Sequence, residues 1–373
     1  MNEKKSFRAV IACGGTGGHL FPGLAVAQTL HERGHEVLLL VSEKEIDATA
    51  LKAHPEFRAE KLPSVGMPKM ILSPAFVRFV RRFLESHRRC RDIYRKFRPS
   101  AILGMGGFTS TAPIIAARMK KLPCFVHESN AIPGRANRLA AKFASAVLIG
   151  FEECRTQFQG TECIYTGTPV RRNLGDRLDR ASAMKVFGLN PEKPTLLVTG
   201  GSQGATGINQ LLFKCAPILG ESNIQIIHLT GKNDDQLAAA NYQRDNIPHY
   251  VAPFHHRMEE AYSVADLVIS RAGASSLSEL SYFGLPSILI PYPFATDNHQ
   301  RANAEIYARA EAAEMVSENE AIPEIFAATI SNLLNDPQRR QRMAESARKI
   351  TSISAAKNVA DVMERAVQEG GRR

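Results

Sequence analysis

Two stretches of the 373-residue chain repeat one pattern, and that repeat limits the fold more than any other feature. Ala9-Val10-Ile11-Ala12-Cys13-Gly14-Gly15-Thr16-Gly17-Gly18 and Thr195-Leu196-Leu197-Val198-Thr199-Gly200-Gly201-Ser202-Gln203-Gly204 each run from an apolar strand through a glycine turn into a helical pattern. Such a unit opens a mononucleotide-binding half. Its recurrence 186 residues later predicts two Rossmann-like domains in tandem. Apolar, β-branched strand candidates lie at 7–13, 36–41, 101–104, 123–126, 146–149, 195–199, 224–229, 267–269 and 287–290. Amphipathic stretches at 22–33, 74–97, 134–144, 206–219 and 299–311 alternate with them. That alternation predicts an α/β chain with doubly wound parallel sheets. Gly167, Pro169, Gly175, Pro191 and Pro194 predict a linker near 166–195. The expected domains are 1–166 and 167–350, with a C-terminal helix at about 351–373 packing back on the first.

Charge narrows the partners. The formal net charge is +10, which suits nucleic acid, an anionic membrane or an anionic small substrate. Trp is absent and aromatics are 7%, so base-stacking platforms are disfavoured and no nucleic-acid partner is expected. No two of the six cysteines are three residues apart, which excludes zinc-ribbon and CxxC readings and suits a reducing compartment. The apolar run at the start is too short for a secretory segment, and nothing approaches a membrane-spanning length. The expectation is a cytoplasmic, non-integral protein.

Several turns carry candidate chemistry. Gly14-Gly15-Thr16-Gly17-Gly18-His19 departs from the dinucleotide fingerprint, because Leu20 stands where its third glycine belongs. No acid ends the strand at 37–41, and Glu43 is the nearest. His19, in the first helical turn, reads as a general base or equally as a capping or core residue. Gly104-Met105-Gly106-Gly107-Phe108 and His127-Glu128-Ser129-Asn130 follow further strands, where polar groups face ligand; Asn130 also fits an Asx-turn or helix cap. Gly200 to Gly204 lacks the Lys of an ATPase phosphate loop but offers backbone N–H groups and the Ser202 hydroxyl to a diphosphate. In Arg271-Ala272-Gly273-Ala274-Ser275-Ser276-Leu277-Ser278-Glu279, small residues allow close approach and Arg and Ser suit phosphate. Glu279 suits a ribose diol or a capping role. Gln300 and Asn303 share a helix face. There is no Asp-x-Asp and no pair of glutamates eight apart, so neither a metal nor a cofactor is expected.

The segment 71–98 holds nine basic against two acidic residues. Ile71, Leu72, Phe76, Phe79 and Phe83 among Arg78, Arg81 and Arg82 exceed what one core-facing side needs. The first half therefore reads as a membrane-surface element, and the second half as an ordinary packed helix.

Taken in order, these turns and Asn298-His299-Gln300 make the chain resemble the MurG family, the N-acetylglucosaminyltransferases of bacterial peptidoglycan synthesis. The resemblance spans nearly the whole chain. It implies a GT-B fold, two Rossmann-like domains facing a deep cleft. It implies inverting transfer of N-acetylglucosamine from UDP-N-acetylglucosamine to the 4-hydroxyl of the muramyl sugar of undecaprenyl-pyrophosphoryl-N-acetylmuramoyl-pentapeptide, with UDP leaving. It further implies a peripheral position on the cytoplasmic face of the cell membrane. By that pattern Ser202 meets the diphosphate, Glu279 the ribose, Gln300 the sugar, and His255 lies beside the uracil. Residues 274–278 line the same donor site. Thr16, Gly17, Gly18 and Asn130 reach the sugar, and Arg171 is the phosphate-side arginine, although Thr168 stands where the family usually has Asn. Gly14, Gly15, Gly106, Gly107 and Phe108 take the acceptor, and His19 or Glu128 the proton. Two other readings differ in class. A UDP-N-acetylglucosamine 2-epimerase needs no membrane surface, and a non-enzymatic binder leaves the glycine turns unexplained.

Overall fold

The computed structural model describes residues 6–63, 66, 68, 70, 73–175, 178–201, 204–352 and 354–370. The chain divides into two compact units, 1–171 with 352–373, and 172–351.

In the first unit the order is β1 (Arg8–Ala12), α1 (Gly17–Glu32), β2 (Glu36–Val41), α2 (Glu45–Lys52), β3 (Arg58–Lys61), α3 (Pro74–Phe97), β4 (Ala101–Gly104), α4 (Phe108–Met119), β5 (Cys124–Glu128), α5 (Arg135–Ala141), β6 (Ala146–Ile149) and β7 (Cys163–Tyr165). The sheet order is β3-β2-β1-β4-β5-β6-β7, with every pairing parallel. Strand order reverses direction at β1, so the turns after β1 and β4 lie side by side. That is the switch point where doubly wound sheets hold ligand.

The second unit runs α6 (Arg180–Phe187), β8 (Thr195–Thr199), α7 (Thr206–Leu219), β9 (Gln225–Leu229), α8 (Asp235–Arg244), β10 (His249–Ala252), α9 (Met258–Val264), β11 (Leu267–Ser270), α10 (Ala274–Phe283), β12 (Ser287–Leu289), α11 (His299–Arg309), β13 (Ala313–Met315), α12 (Pro323–Asn335) and α13 (Pro337–Ile350). Its sheet order, β10-β9-β8-β11-β12-β13, is again wholly parallel. The last helix, α14 (Ala355–Gly370), belongs to the first unit. Its Val359, Ala360 and Met363 join Leu20, Val26 and Leu30 of α1 in one buried cluster. Arg33 seals the edge of that contact with Asp361 at 2.7 Å and Glu364 at 2.9 Å.

The expected linker at 166–195 is for the most part folded structure. Arg180 reaches Asp266 at 2.8 Å and the Val264 carbonyl at 2.9 Å, which fastens α6 to the second sheet. Proline and glycine there punctuate turns of a packed segment.

Among the described residues no helix is long and apolar enough to cross a membrane. Helix α3 starts with Ser73, whose hydroxyl accepts from Phe76 N at 3.2 Å, and with Pro74 in its first turn. Phe76, Phe79, Phe83, Ser86, Cys90, Tyr94 and Phe97 recur at intervals of three and four, forming a single inward stripe. Phe79 meets Phe108 of α4 edge-on at 5.2 Å, and the Phe76, Phe79 and Phe83 rings stack in series. The three phenylalanines expected at a lipid surface therefore face protein. Exposed instead are Val77 at 68%, Val80 at 37% and Leu84 at 49%, on the same side as Arg81 and Arg88. Arg78 is also exposed, whereas Arg82 pairs with Glu43 at 2.9 Å. Ile71 and Leu72 lie outside the described residues.

Candidate active site

In the first unit, the turn after β1 is held from below. A Cβ on Gly14 would stand 2.2 Å from Ser42 N and 2.6 Å from Asp47 Oδ2, so only glycine fits. Gly15 has a φ of +107°, a conformation glycine alone adopts without strain. The buried Asp47 carboxylate accepts from Gly15 N at 2.9 Å, Ser42 N at 2.8 Å and Ser42 Oγ at 2.5 Å. Lys44 Nζ donates to Gly15 O at 2.7 Å. The Gly15 N–H, expected to meet an acceptor diphosphate, is thus already bound to a carboxylate. A second anion beside that carboxylate would be repelled.

His19 sits in the first turn of α1, with Nδ1 3.2 Å from the Thr16 hydroxyl. Its half-buried ring lies across the turn after β4. A Cβ on Gly106 would come 2.9 Å from His19 Nε2, and one on Gly107 3.3 Å from Cε1. Both glycines have positive φ, of 113° and 70°. Their role is to admit the imidazole. Burial pushes the His19 pKa down to about 4, opposed by Asp47 and reinforced by Lys44. The leading cause is burial, not the helix terminus. Phe108, expected at the acceptor, is half-buried beneath Phe79.

Glu128 ends β5 fully enclosed. One carboxylate oxygen accepts from Asn130 N at 2.9 Å and Asn130 Nδ2 at 3.0 Å; the other accepts from Gly134 N at 3.1 Å and Asn137 Nδ2 at 2.8 Å. Burial raises its pKa despite these four donors. With its acceptor directions committed, Glu128 holds the loop that carries Asn130 and is badly placed to take a proton from substrate. Asn137 reaches towards Gly106, where an added Cβ would lie 3.3 Å from Nδ2. The neighbouring His127 is wholly structural, bonded to Gly167 O at 2.9 Å and Ser129 at 3.2 Å. Arg171 stands over the Phe21 ring at 4.8 Å. Thr16, Gly17 and Gly18 occupy the rim of the α1 terminus, Thr16 and Gly18 exposed.

In the second unit, the turn after β8 packs tightly. A Cβ on Gly200 would lie 2.3 Å from Ala205 N, and one on Gly204 2.5 Å from Thr230 O. Ser202 lies outside the described residues. Glu279, one turn into α10, is buried, and its Oε2 accepts from Tyr262 OH at 2.9 Å. Ser275 and Ser276 are half-buried at the start of that helix. Leu277 points into the core, and the Ser278 hydroxyl donates back to Ala274 O at 3.0 Å. Neither of these side chains can serve a ligand, so the contribution of Ala274, Leu277 and Ser278 is limited to backbone. His255 Nε2 meets Glu260 Oε2 at 2.8 Å, with its ring 5.2 Å from Phe187. Gln300 Oε1 accepts from Tyr292 N at 2.9 Å, which fixes the amide so that its NH2 group is the end left for a ligand. Asn303 turns inward to Ala272 O at 3.0 Å. Arg271 is used internally, bonded to Ile290 O at 3.1 Å and to Glu318 at 2.5 Å.

Sequence reasoning missed Asp47, Lys44, Ser110 and Asn137. Ser110 Oγ bridges the two turns of the first unit, at 3.1 Å from Gly106 N and 3.0 Å from Ala12 O. Asp47 lies six residues beyond the end of β2, inside α2, away from the strand end where a nucleotide-binding carboxylate is sought. Also missed was Phe254, exposed after β10 beside His255.

Residues 9–149 match the N-terminal domain of glycosyltransferase family 28, and residues 195–365 match its C-terminal domain. A Geobacter sulfurreducens protein named UDP-N-acetylglucosamine–N-acetylmuramyl-(pentapeptide) pyrophosphoryl-undecaprenol N-acetylglucosamine transferase is 37% identical over 360 residues, covering 95% of this chain and 98% of the relative. The Halothermothrix orenii protein of the same name is 34% identical over 372 residues, covering 96% and 98%. Acinetobacter baumannii MurG superposes with a TM-score of 0.75 at 27% identity, covering 96% of this chain and 99% of that one. The glycosyltransferase of kitacinnamycin, at 16% identity and a TM-score of 0.71, shares the fold. The fold class is GT-B, two Rossmann-like α/β domains in one chain. With relatives above 30% identity matched from end to end, the chain belongs to the MurG family of glycosyltransferases.

Proposed function

We propose that the chain transfers N-acetylglucosamine from UDP-N-acetylglucosamine to the 4-hydroxyl of the muramyl sugar in undecaprenyl-pyrophosphoryl-N-acetylmuramoyl-pentapeptide. The observation that carries this reading is the end-to-end match to transferases of that name, at 37% identity over 95% of the chain. Neutral His19 takes the proton of the 4-hydroxyl as its oxygen attacks the anomeric carbon. The bond from that carbon to the diphosphate oxygen breaks, and UDP carries away the electron pair. One displacement inverts the centre. A base depressed to about 4 is uncharged at neutral pH, so every molecule is competent to accept, though with a weaker driving force.

Glu279 takes the ribose hydroxyls and the Gln300 amide donates to the sugar. The backbone N–H groups opening α7 and α10 receive the diphosphate, together with Ser202. Thr16 and Asn130 contact the sugar, and His255 flanks the uracil. Arg171 serves the phosphate side. The outer row of α3, with Arg78, Arg81 and Arg88, seats the enzyme on the anionic cytoplasmic face of the membrane, where the acceptor's lipid tail is confined.

The test is incubation with UDP-N-acetylglucosamine and a lipid-linked muramyl-pentapeptide. New disaccharide lipid with stoichiometric UDP is expected. Absence of disaccharide, or conversion of the sugar nucleotide to its 2-epimer without acceptor, overturns the assignment.

A further inference from the structure

We propose that Asp47 and Lys44 are positioning residues for the transfer reaction: they clamp the Gly15 peptide units and thereby set where His19 stands and when it carries charge. The proposal rests on the reading of His19 as the proton acceptor.

The clamp acts on both sides of Gly15. Its N–H is held by Asp47 at 2.9 Å and its C=O by Lys44 at 2.7 Å. Asp47 is anchored in turn by Ser42 N and Ser42 Oγ at the end of β2. The next residue is Thr16, whose hydroxyl lies against His19, and whose carbonyl accepts from His19 N at 3.1 Å. Three residues therefore separate the clamp from the imidazole, all of them in or beside the first turn of α1. In a nucleotide-binding Rossmann unit the acid after the second strand faces a ribose and the glycine turn faces a pyrophosphate. Here the acid folds back onto the glycine turn and takes the place of the phosphate. The turn is converted from an anion seat into a mount for a side chain.

The charges around His19 are few. Thr16 faces it from its own helix, Gly106 and Gly107 from the turn after β4, and Asn137 from α5; none of these is ionisable. His127 of β5 lies close enough to interact but is itself held neutral by burial, its pKa down to about 4. Glu128 stands behind Asn137 with its oxygens occupied. Among the described residues, Asp47 and Lys44 are the charges left, and they act on His19 with opposite signs. Asp47 is buried while Lys44 is exposed, so the lysine can be changed without disturbing packing.

The experiment combines an NMR titration of the His19 ring with the pH dependence of kcat, in full-length Lys44→Met, Asp47→Asn and His19→Gln variants. Lys44→Met is expected to raise the His19 midpoint and the acid limb of kcat together by about half a pH unit, the scale of one charge several ångströms away near a surface. Asp47→Asn is expected to lower the midpoint, and to reduce kcat at least tenfold at pH 7.5 while UDP affinity stays within twofold. A group that served only the fold would move both midpoints the same way or leave them fixed, and that result overturns the proposal. So does an unchanged kcat in Asp47→Asn. Should Asp47→Asn fail to fold, the Lys44→Met shift decides alone. If His19→Gln keeps full kcat, the reading of His19 as base fails, whereas the opposed NMR shifts still report on the clamp.

Discussion

The outer row of α3 makes a quantitative prediction about the membrane. Val77, Val80 and Leu84 expose 68, 37 and 49% of their surfaces, together about one and a half whole side chains. Burying a complete side chain of this kind is worth roughly 1.5–3 kcal/mol, so the row supplies about 3 kcal/mol on entering the headgroup boundary. Exposed Arg78, Arg81 and Arg88 add about 1 kcal/mol each near an anionic surface, whereas Arg82 adds less because Glu43 neutralises it. Replacing Val77, Val80 and Leu84 with Ser should weaken sedimentation with phosphatidylglycerol vesicles by roughly 100-fold, with unchanged circular dichroism and UDP binding. The remaining affinity should fall steeply with salt. Replacing Phe76, Phe79 and Phe83 instead removes the packing against Phe108, and the expected outcome is loss of stability ahead of loss of vesicle binding. The reasoning is refuted if the Val/Leu variant binds vesicles like the parent, or if the Phe variant stays as stable as the parent and alone loses binding.

Three further outcomes are expected. Gly106→Ala places a methyl 2.9 Å from His19 Nε2 at a φ of +113°; kcat should drop at least tenfold with donor affinity preserved, as measured by steady-state kinetics and calorimetry. Glu279→Ala should raise the donor KM by roughly 10- to 100-fold, the loss of charge-assisted bonds worth about 1.5–3 kcal/mol, with a smaller change in kcat. Buried His127 and His228, with pKa values near 4 and 3, are unprotonated in the fold while the unfolded chain takes up protons from pH 6.5 downward. Their contribution is complete above pH 6.5 and is lost as pH falls towards 4, about 2 kcal/mol per histidine by pH 5; urea unfolding at pH 7 and pH 5 should show it, and His228→Gln should flatten the dependence for the second unit.

The strands that sequence reasoning did not find are β3, β7, β10 and β13, and each is the edge of its sheet. An edge strand has a neighbour on one side only, so nothing demands a continuous apolar run. Arg-Ala-Glu-Lys of β3 and Ala-Glu-Met of β13 carry none. Interior strands, covered on both faces, spell their identity in Val, Ile and Leu. The same logic divides the site. Glycine turns were legible because their constraint is local. Asp47 was not, because it acts on a turn 32 residues away in the chain, and Ser110 and Asn137 were not, because nothing local tells which way the polar side chain of a helix turns. In α3 the number of apolar groups was readable, but the direction of each depended on where Phe108 would stand.

The return of α14 to the first unit has a consequence for synthesis. When a ribosome has completed residues 1–171, α1 still lacks the layer made by Val359, Ala360, Val362 and Met363, and Arg33 lacks both of its carboxylates. At roughly 5–20 residues per second, about 10–40 s pass before those residues exist. Throughout that interval the nascent first unit presents an apolar face, while the second unit is being made and can close on its own sheet. The half of the chain translated first is thus the half completed last, and a stop codon that removes only the final helix would cripple the domain at the opposite end of the gene.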